Sequence, residues 1–474
     1  MADDDLIRLS ATEVVEALTT GAVSPAELID AAADRIEAVD GAVNALPTLC
    51  LDRARDRAAA LEGAAVPEDR RGWLAGLPVV IKDLVDVAGV RTTYGSPLFA
   101  NHVPARSDIL VERLEERGAL VTAKSNTPEF GAGANTFNEV FGETRNPWNT
   151  ALTCGGSSGG SAVALATGMA WLASGSDLGG SLRTPASFCG VVGLRPSPGR
   201  VARAPTTDPF DTLSVEGSMA RSVPDIALML DAMAGSHPED PLSRAAPAQS
   251  YVGALAGEPP ARIGWSLNLG FLPVEPEVAA VCEKSLAAFA AMGAAVDDTC
   301  PDFSDAGETF QVLRAADFAT AHAEKLVAKR EMLKPDIIWN VEKGLALSAD
   351  EIGKARRARA ALYGRMADFF ETHDLLAAPA ALVPPFDVNE RYVARIGDVE
   401  FDNYMDWLGI TFAITLTGCP AISVPCGFTD AGLPVGLQLV GPPHGEAAVL
   451  AAAARFEEAL GLNRQLPIDP RRLG

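Results

Sequence analysis

The chain has 474 residues, 48% of them hydrophobic, and carries a formal net charge of −23. This length and composition allow a large buried core, whereas the negative charge disfavours binding to nucleic acid or to anionic membranes. The acidic start "MADDDLIRLS" lacks the features of an export signal, and no apolar run is long enough to span a bilayer, so we expect a cytoplasmic protein.

The cysteines and histidines give no indication of a metal site. The seven cysteines contain no C-x-x-C pair, and the five histidines are not spaced as metal ligands. We therefore expect reduced thiols and no metal.

The first third of the chain predicts helices followed by an α/β pattern. Two capping boxes, opened by Ser10 and Ser24, predict two helices over residues 9–40. The apolar run within 74–87 predicts a buried strand, and 118–126, which follows a helical segment, predicts another. Strand, helix and strand in this order are typical of an α/β protein.

The middle of the chain is rich in glycine and serine. The stretch "CGGSSGGSAVALATG", residues 154–168, leads into a predicted helix at 160–173. The following segment, 175–201, is almost free of helix periodicity, and we interpret it as a constrained loop.

Helices dominate the predicted C-terminal half. The patterns predict helices within 223–235, 277–293, 348–373 and 445–460, a hairpin over 419–443 and an exposed excursion at 235–250. We expect one domain over 1–474, with a motif-bearing core at about 70–235. A helical and hairpin part at about 260–474 would complete a mixed sheet.

Three local interpretations compete for residues 154–168. Ser157 or Ser158 could cap the following helix, while the glycines let the chain turn. Residues 155–159 also match the nucleophile elbow G-x-S-x-G, with His444 downstream, but the preceding "RNPWNTALTC" is not the apolar strand that an elbow requires. A phosphate-binding loop is disfavoured because no Lys-Ser or Lys-Thr follows the glycines.

Several motifs together resemble the amidase signature family. They are "IKD" at 81–83, "GGSSGGSA" at 155–162, "DLGGSLRTPASFCGVVGLRPS" at 177–197 and the C-terminal "GLPVGLQLVG". The resemblance implies a single large α/β domain, in which helices cover both faces of a mixed sheet. It also implies an amidohydrolase that cleaves an amide C–N bond of a small molecule through an acyl-enzyme, without a cofactor. Arg195 and Ser197 depart from the usual Lys and Thr of the family.

The resemblance also implies roles for individual residues. Ser181 would be the nucleophile, and Ser157, held by a cis peptide bond, would relay a proton between Ser181 and Lys82. The backbone N–H groups of Leu178, Gly179, Gly180 and Ser181 would form the oxyanion hole, and the backbone at Gly131 would meet the substrate.

The chemistry of the residues supports a lysine base. A serine needs a base to become nucleophilic, and no histidine lies within the motifs. Lys82 can act as that base only when it is neutral, and burial after the apolar "PVVI" would lower its pKa. Strand alternation places Asp83 on the opposite face, where it favours the charged lysine less.

The remaining polar and aromatic candidates are assigned structural roles. We expect Asp177 and Arg183 to support each other in the loop around the nucleophile. Packing in the core is expected for Cys189, Trp339, Tyr404 and Trp407.

The main alternative is the glutamine-hydrolysing subunit of a tRNA-dependent amidotransferase complex, which resembles the chain over the same motifs and works only in that complex. An inactive scaffold is disfavoured because Lys82, Ser157 and Ser181 are all present. The expected partner is a small amide substrate, without nucleic acid or membrane, and a homodimer is possible. Ester or carbamate hydrolysis is an expected side activity.

Overall fold

A mixed sheet of eleven strands organises the computed structural model, which describes residues 3–61 and 67–472. The strands are β1 (Thr48–Leu49), β2 (Pro78–Lys82), β3 (Leu120–Ser125), β4 (Leu172–Asp177), β5 (Val192–Arg195), β6 (Val215–Ala220), β7 (Arg262–Trp265), β8 (Ala295–Asp298), β9 (Leu375–Pro379), β10 (Ala421–Phe428) and β11 (Pro434–Val440). Their spatial order is β1-β3-β2-β4-β6-β5-β10-β11-β9-β7-β8.

The helices lie before, between and after these strands. They are α1 (Asp3–Leu6), α2 (Ala11–Thr20), α3 (Pro25–Val43), α4 (Leu51–Leu61), α5 (Ile109–Glu116), α6 (Gly159–Ala166), α7 (Arg183–Cys189), α8 (Val223–Met233), α9 (Tyr251–Ala254), α10 (Pro276–Ser285), α11 (Ala287–Ala291), α12 (Ala306–Lys329), α13 (Pro335–Ala346), α14 (Ala349–Phe370), α15 (Gly409–Thr417) and α16 (Glu446–Leu460). Three small two-stranded sheets pair Phe137–Asn138 with Gly142–Glu143, Arg145–Asn146 with Asn149–Thr153, and Arg395–Ile396 with Val399–Glu400.

Helices cover both faces of the sheet, as the side chains of β2 show. Val79 and Ile81 pack in a cluster with residues of α5, α8 and α16, whereas Val80 packs in a second cluster with residues of α6. Alternate residues of a strand point to opposite faces, so an apolar strand of this kind is buried on both sides. Lys82 follows Val80 at a spacing of two and therefore lies on the α6 face.

The sheet continues without a break from the N-terminal half of the chain into the C-terminal half. β5 pairs antiparallel with β10, and β10 pairs antiparallel with β11. The predicted α/β fold with a mixed sheet and a C-terminal hairpin is therefore confirmed. The division into a core at 70–235 and a completing part at 260–474 stays a prediction.

Most of the expected helices are present. Both N-terminal capping boxes form, because the Ser10 and Ser24 hydroxyls accept from the backbone N–H three residues later while Glu13 and Glu27 bond back to the cap. Helices are also present within 223–235, 348–373 and 445–460, whereas 277–293 contains two shorter ones.

Two predictions in the middle of the chain are wrong. The helix expected over 160–173 ends at Ala166, and a turn through Gly168 leads into β4. The segment 175–201 is not a loop throughout, because it contains the end of β4, all of α7 and all of β5. Every residue of α7 is buried, so the helix has no polar face from which a period could be read.

Two further observations concern membrane-spanning segments and the cysteines. No helix in the described ranges combines the length and apolar character that crossing a bilayer requires. All seven cysteines are free thiols, as expected. A cytoplasmic location stays a prediction.

Candidate active site

The amine of Lys82 is surrounded by serine hydroxyls at the end of β2. Lys82 is wholly buried, and its Nζ donates hydrogen bonds to Ser157 Oγ at 2.7 Å, Ser158 Oγ at 2.9 Å and Ser176 Oγ at 2.9 Å. Its backbone N–H donates to Ser174 Oγ at 3.0 Å. The three hydroxyls match the three N–H donors of an ammonium group.

Two neighbouring segments deliver these hydroxyls. Ser157 and Ser158 immediately precede α6, and the peptide bond between Gly156 and Ser157 is cis. The start of α6 lies close to the backbone of Asn126, so position 160 must be glycine. A Cβ on Gly160 would overlap the Asn126 backbone nitrogen. Ser176 comes from β4, which neighbours β2 in the sheet.

Burial sets the protonation of the lysine. It lowers the pKa of Lys82 from 10.5 to about 7, although the negative charges of Glu216 and Asp177 oppose this shift. Asp83 does not contact the Lys82 amine; it accepts hydrogen bonds from Lys124 at 3.0 Å and from Thr93. The opposite-face placement predicted for Asp83 is therefore present, and a neutral Lys82 is accessible near neutral pH.

Ser181 lies in the short loop between β4 and α7, which Asp177 holds in place. The Asp177 carboxylate accepts from the Gly180 N–H at 3.0 Å and from the Leu182 N–H at 3.1 Å. It also pairs with Arg183 at 2.9 Å and Arg195 at 3.3 Å. Burial alone would raise the pKa of Asp177, but these two guanidinium groups hold it below its usual value.

The same loop is tied to the C-terminal part of the chain. Thr411 Oγ1 donates to the Gly179 carbonyl at 2.7 Å, and Arg183 Nη1 donates to Gln438 Oε1 at 3.0 Å. Gly180 has φ +119°, and a Cβ there would overlap Thr411 Oγ1. A side chain at this position would therefore displace the loop.

The occupied N–H of Gly180 changes the predicted oxyanion hole. Because it already donates to Asp177, it is not free to meet an oxyanion in this conformation. The N–H groups of Leu178, Gly179 and Ser181 make no hydrogen bond with the described residues and remain the candidate donors.

A cavity of about 90 Å³ brings these groups together. It is lined by Leu84, Phe130, Gly131, Gly133, Ser157, Ser176, Leu178, Gly179, Ser181, Ser214, Arg314, Phe318, Met405 and Leu408. Gly131 lies close to Ser157, since a Cβ on Gly131 would be 3.4 Å from Ser157 Oγ. The Ser181 hydroxyl makes no hydrogen bond within the described part of the chain, and Ser181 is half-buried.

Comparison with known proteins identifies the family of the chain. The family model Amidase matches residues 27–450. The chain belongs to the amidase family.

Relatives and solved structures extend the likeness over nearly the whole chain. An acylamidase of Rhodococcus erythropolis is 34% identical and covers 99% of each chain. A glutamyl-tRNA(Gln) amidotransferase subunit of Moorella thermoacetica is 36% identical over 98% of this chain and 99% of its own. A bacterial aryl acylamidase structure of the amidase signature family superposes with a TM-score of 0.88 at 30% identity, covering 98% of this chain and 99% of that chain. The protein is thus an amide-hydrolysing enzyme of the amidase signature fold.

The residues excluded from the site lie elsewhere in this amidase. His444 donates its backbone N–H to Ser197 and does not line the cavity, which argues against a nucleophile elbow. Cys189 and Trp407 are buried as predicted, and Trp339 is partly buried in the same apolar cluster as Trp407. Among the residues that the structure describes, no cluster of His, Cys, Asp or Glu could hold a metal ion.

Four further residues of the candidate site could not be selected from the sequence. Ser158 and Ser176 contact the lysine, Arg195 supports Asp177, and Arg314 lines the cavity. Ser174 and Ser176 in "ASGSD" are two residues apart, so both side chains lie on the same face of β4, the face toward Lys82. No comparable pattern in the sequence indicates Arg314.

Proposed function

We propose that this amidase hydrolyses small-molecule amides through an acyl-enzyme on Ser181, with Lys82 as the base and Ser157 as the proton relay. One observation supports this most directly: the buried Lys82 amine lies 2.7 Å from Ser157 Oγ, and Ser157 shares a cavity with Ser181. The mechanism uses only side chains and backbone groups of this chain.

In the first step, Ser181 Oγ attacks the amide carbonyl carbon and the carbonyl electrons move to its oxygen. The Ser181 proton passes to Ser157 as the Ser157 proton passes to neutral Lys82. The relay requires Ser157 and Ser181 to come within hydrogen-bond distance when substrate binds. Ser158 is a poorer relay because its hydroxyl also donates to the Ser176 carbonyl, at 3.3 Å.

In the second step, the tetrahedral intermediate collapses and the C–N bond breaks. Lys82 returns its proton through Ser157 to the departing nitrogen, so the amine leaves neutral. Water then attacks the ester on Ser181 by the same proton path, which releases the acid and restores the serine. The N–H groups of Leu178, Gly179 and Ser181 would stabilise the oxyanion of both intermediates. Esters and carbamates form similar intermediates, so we propose hydrolysis of these as a side activity.

Purified Ser181→Ala and Lys82→Ala variants test this proposal with a panel of aryl and alkyl amides. We expect kcat to fall by about 1000-fold or more in each, because either change interrupts the proton path or removes the nucleophile. Ser285→Ala is a matched control, since this buried hydroxyl on α10 donates only to the Cys282 carbonyl. Full activity of Ser181→Ala would contradict the assignment.

An acyl-enzyme can be observed directly. Acid quenching during turnover of an activated ester should leave the acyl mass on Ser181 and on no other serine. Fragmentation of the labelled peptide locates the acyl group, because no Lys or Arg lies between Ser157 and Ser181. An acyl group on Ser157 instead would contradict the assigned roles.

The amidotransferase subunit is the second candidate because the Moorella thermoacetica protein is 36% identical over almost its full length. The isolated chain decides between the two. We expect it to hydrolyse simple amides alone, whereas activity confined to glutamine and dependent on added partner proteins would favour the second candidate. A possible homodimer stays a prediction.

A further inference from the structure

Arg314 is the only charged side chain among the described residues that line the cavity containing Ser181. It projects from α12, with Phe318 one turn further along lining the same wall. Arg314 is 3% exposed, and the proposed proton path does not use it. Its position within the cavity therefore needs a separate explanation.

Neutral groups hold the Arg314 guanidinium in place. Nη2 donates to Tyr404 Oη at 2.6 Å, and Nη1 donates to Asn340 Oδ1. The Phe318 ring centroid lies 4.2 Å from Cζ. Asn340 is itself fixed, because its Nδ2 donates to Tyr404 Oη at 2.5 Å and to the Asp336 carbonyl at 2.6 Å. The guanidinium is thus oriented before any substrate binds.

No carboxylate in the part of the chain that the structure describes pairs with Arg314. The two other buried arginines near the cavity differ in this respect, since Arg183 and Arg195 both pair with Asp177. A buried charge without a counter-ion is unfavourable, and neutral acceptors and aromatic rings compensate it only in part. Three of the five N–H groups of Arg314 make no hydrogen bond with the described residues.

We propose that Arg314 binds a carboxylate of the amide substrate and so determines specificity. This inference rests on the proposed function, because it assigns the substrate class of the same cavity. A guanidinium fork matches a carboxylate in geometry and charge, and binding would supply the missing counter-ion. Since the cavity measures only about 90 Å³, the carboxylate lies within a few bonds of the scissile amide.

Two pairs of amides test this, each with one anionic and one neutral member of similar shape. The first pair is the 4-nitroanilide of succinic acid and that of 4-oxopentanoic acid, which differ on the acyl side. The second is 4-acetamidobenzoate and 4-acetamidoacetophenone, which differ on the amine side. The quantity measured is the ratio of kcat/KM for the anionic member to that for the neutral member.

We expect wild-type enzyme to favour the anionic member of at least one pair by about 100-fold, and Arg314→Gln to remove most of that ratio. Arg314→Lys should keep part of it, because the charge remains without the fork. The control Arg330→Gln, at an exposed ion pair with Glu342 just beyond α12, should leave the ratio unchanged.

Two results would overturn the proposal. One is a wild-type ratio near one for both pairs, which decides the matter even if Arg314→Gln does not fold. The other is an equal loss on both members in folded Arg314→Gln, which indicates a purely structural arginine. Hydrolysis of the neutral members that is lost in Ser181→Ala would leave the proposed function intact in either case. Wild-type enzyme that cleaves none of the four amides would overturn both proposals.

Discussion

The pairing of β6 with β4 places Glu216 close to Lys82, the proposed base. It is opposite Ser176 in the antiparallel pair of β6 and β4, so both side chains lie on one face, and Ser176 Oγ accepts from Lys82. Glu216 Oε2 is enclosed without a hydrogen-bond partner among the described residues, and burial raises the pKa of this carboxyl. Its negative charge favours the protonated form of Lys82.

The pH profile should reveal this relation. Wild-type kcat/KM is expected to rise as pH increases through about 7, the pKa of Lys82, because only the neutral amine accepts a proton. Glu216→Gln removes the charge that favours the ammonium, so the Lys82 pKa falls and the acid limb moves to lower pH. Glu371→Gln, at an exposed position after α14, should leave the limb in place. An unmoved or raised limb in Glu216→Gln would contradict this expectation.

At the level of single residues, the sequence could identify Lys82, Ser157 and Ser181 only as parts of motifs. The apolar run before Lys82 correctly indicated burial, which is the physical cause of its lowered pKa. The contacts of Ser158 and Ser176 depend on how β4 lies beside β2, and that adjacency is not encoded in local pattern.

Among the structural elements, the loop between β4 and α7 depends on one buried ion cluster. Asp177 joins Arg183 on α7 to Arg195 on β5 and also holds two backbone N–H groups of the loop. Arg195, identified in the sequence only as a departure from the family pattern, thus supports the segment that carries the nucleophile.

Removing the negative charge of Asp177 should lower the stability of the folded protein. Asp177→Asn leaves two buried guanidinium groups without their anion, so we expect the free energy of unfolding to fall by about 3–5 kcal/mol. Urea denaturation measures this. The control Asp350→Asn breaks an exposed pair with Lys354 on α14 and should cost less than about 0.5 kcal/mol. Equal losses in the two variants would show that the cluster contributes no more than a surface pair.

Helices with a polar face were predicted well, whereas the end of the wholly buried α6 was wrong and the wholly buried α7 was missed. The capping boxes and amphipathic patterns of α2, α3 and α14 gave correct helices. By contrast, α6 and β4 are both completely buried, so the apolar run from one into the other contains no change of pattern at their boundary.

For the molecule as a whole, the proposed base is expected to reduce stability. The folded-state pKa of Lys82 is about 7, against 10.5 for an ordinary lysine. Below pH 7 the folded state therefore contains a buried ammonium, a penalty of roughly 5 kcal/mol at most by the size of this shift. Between these two values the unfolded chain binds the proton at Lys82 and the folded chain does not, so the contribution of Lys82 to the free energy of unfolding rises with pH.

Lys82→Met should make this visible. We expect the variant to have a larger free energy of unfolding than wild type at about pH 6, with the difference shrinking as pH rises toward about 10. Urea denaturation at about pH 6, 8 and 10 checks this, because titrating groups that do not interact with Lys82 contribute equally in both proteins. A difference that does not change with pH would indicate that Lys82 is not strongly perturbed in the folded state.

The overall fold class followed from the order of predicted strands and helices, but the order of strands in space did not. β5 lies between β6 and β10, although more than 200 residues of chain separate β5 from β10. Such pairings depend on the packing of distant segments, which no local window contains.

All three side chains of the proposed relay occur within the first 181 residues, yet the loop of the nucleophile is held by Thr411 and Gln438. A gene copy truncated before residue 400 would keep the serine and lysine motifs by which the family is recognised and would lose these anchors. Surveys that count amidases by those motifs alone would therefore include genes that encode inactive, truncated proteins. An intact β10–β11 hairpin is the better criterion for a gene that encodes an active enzyme.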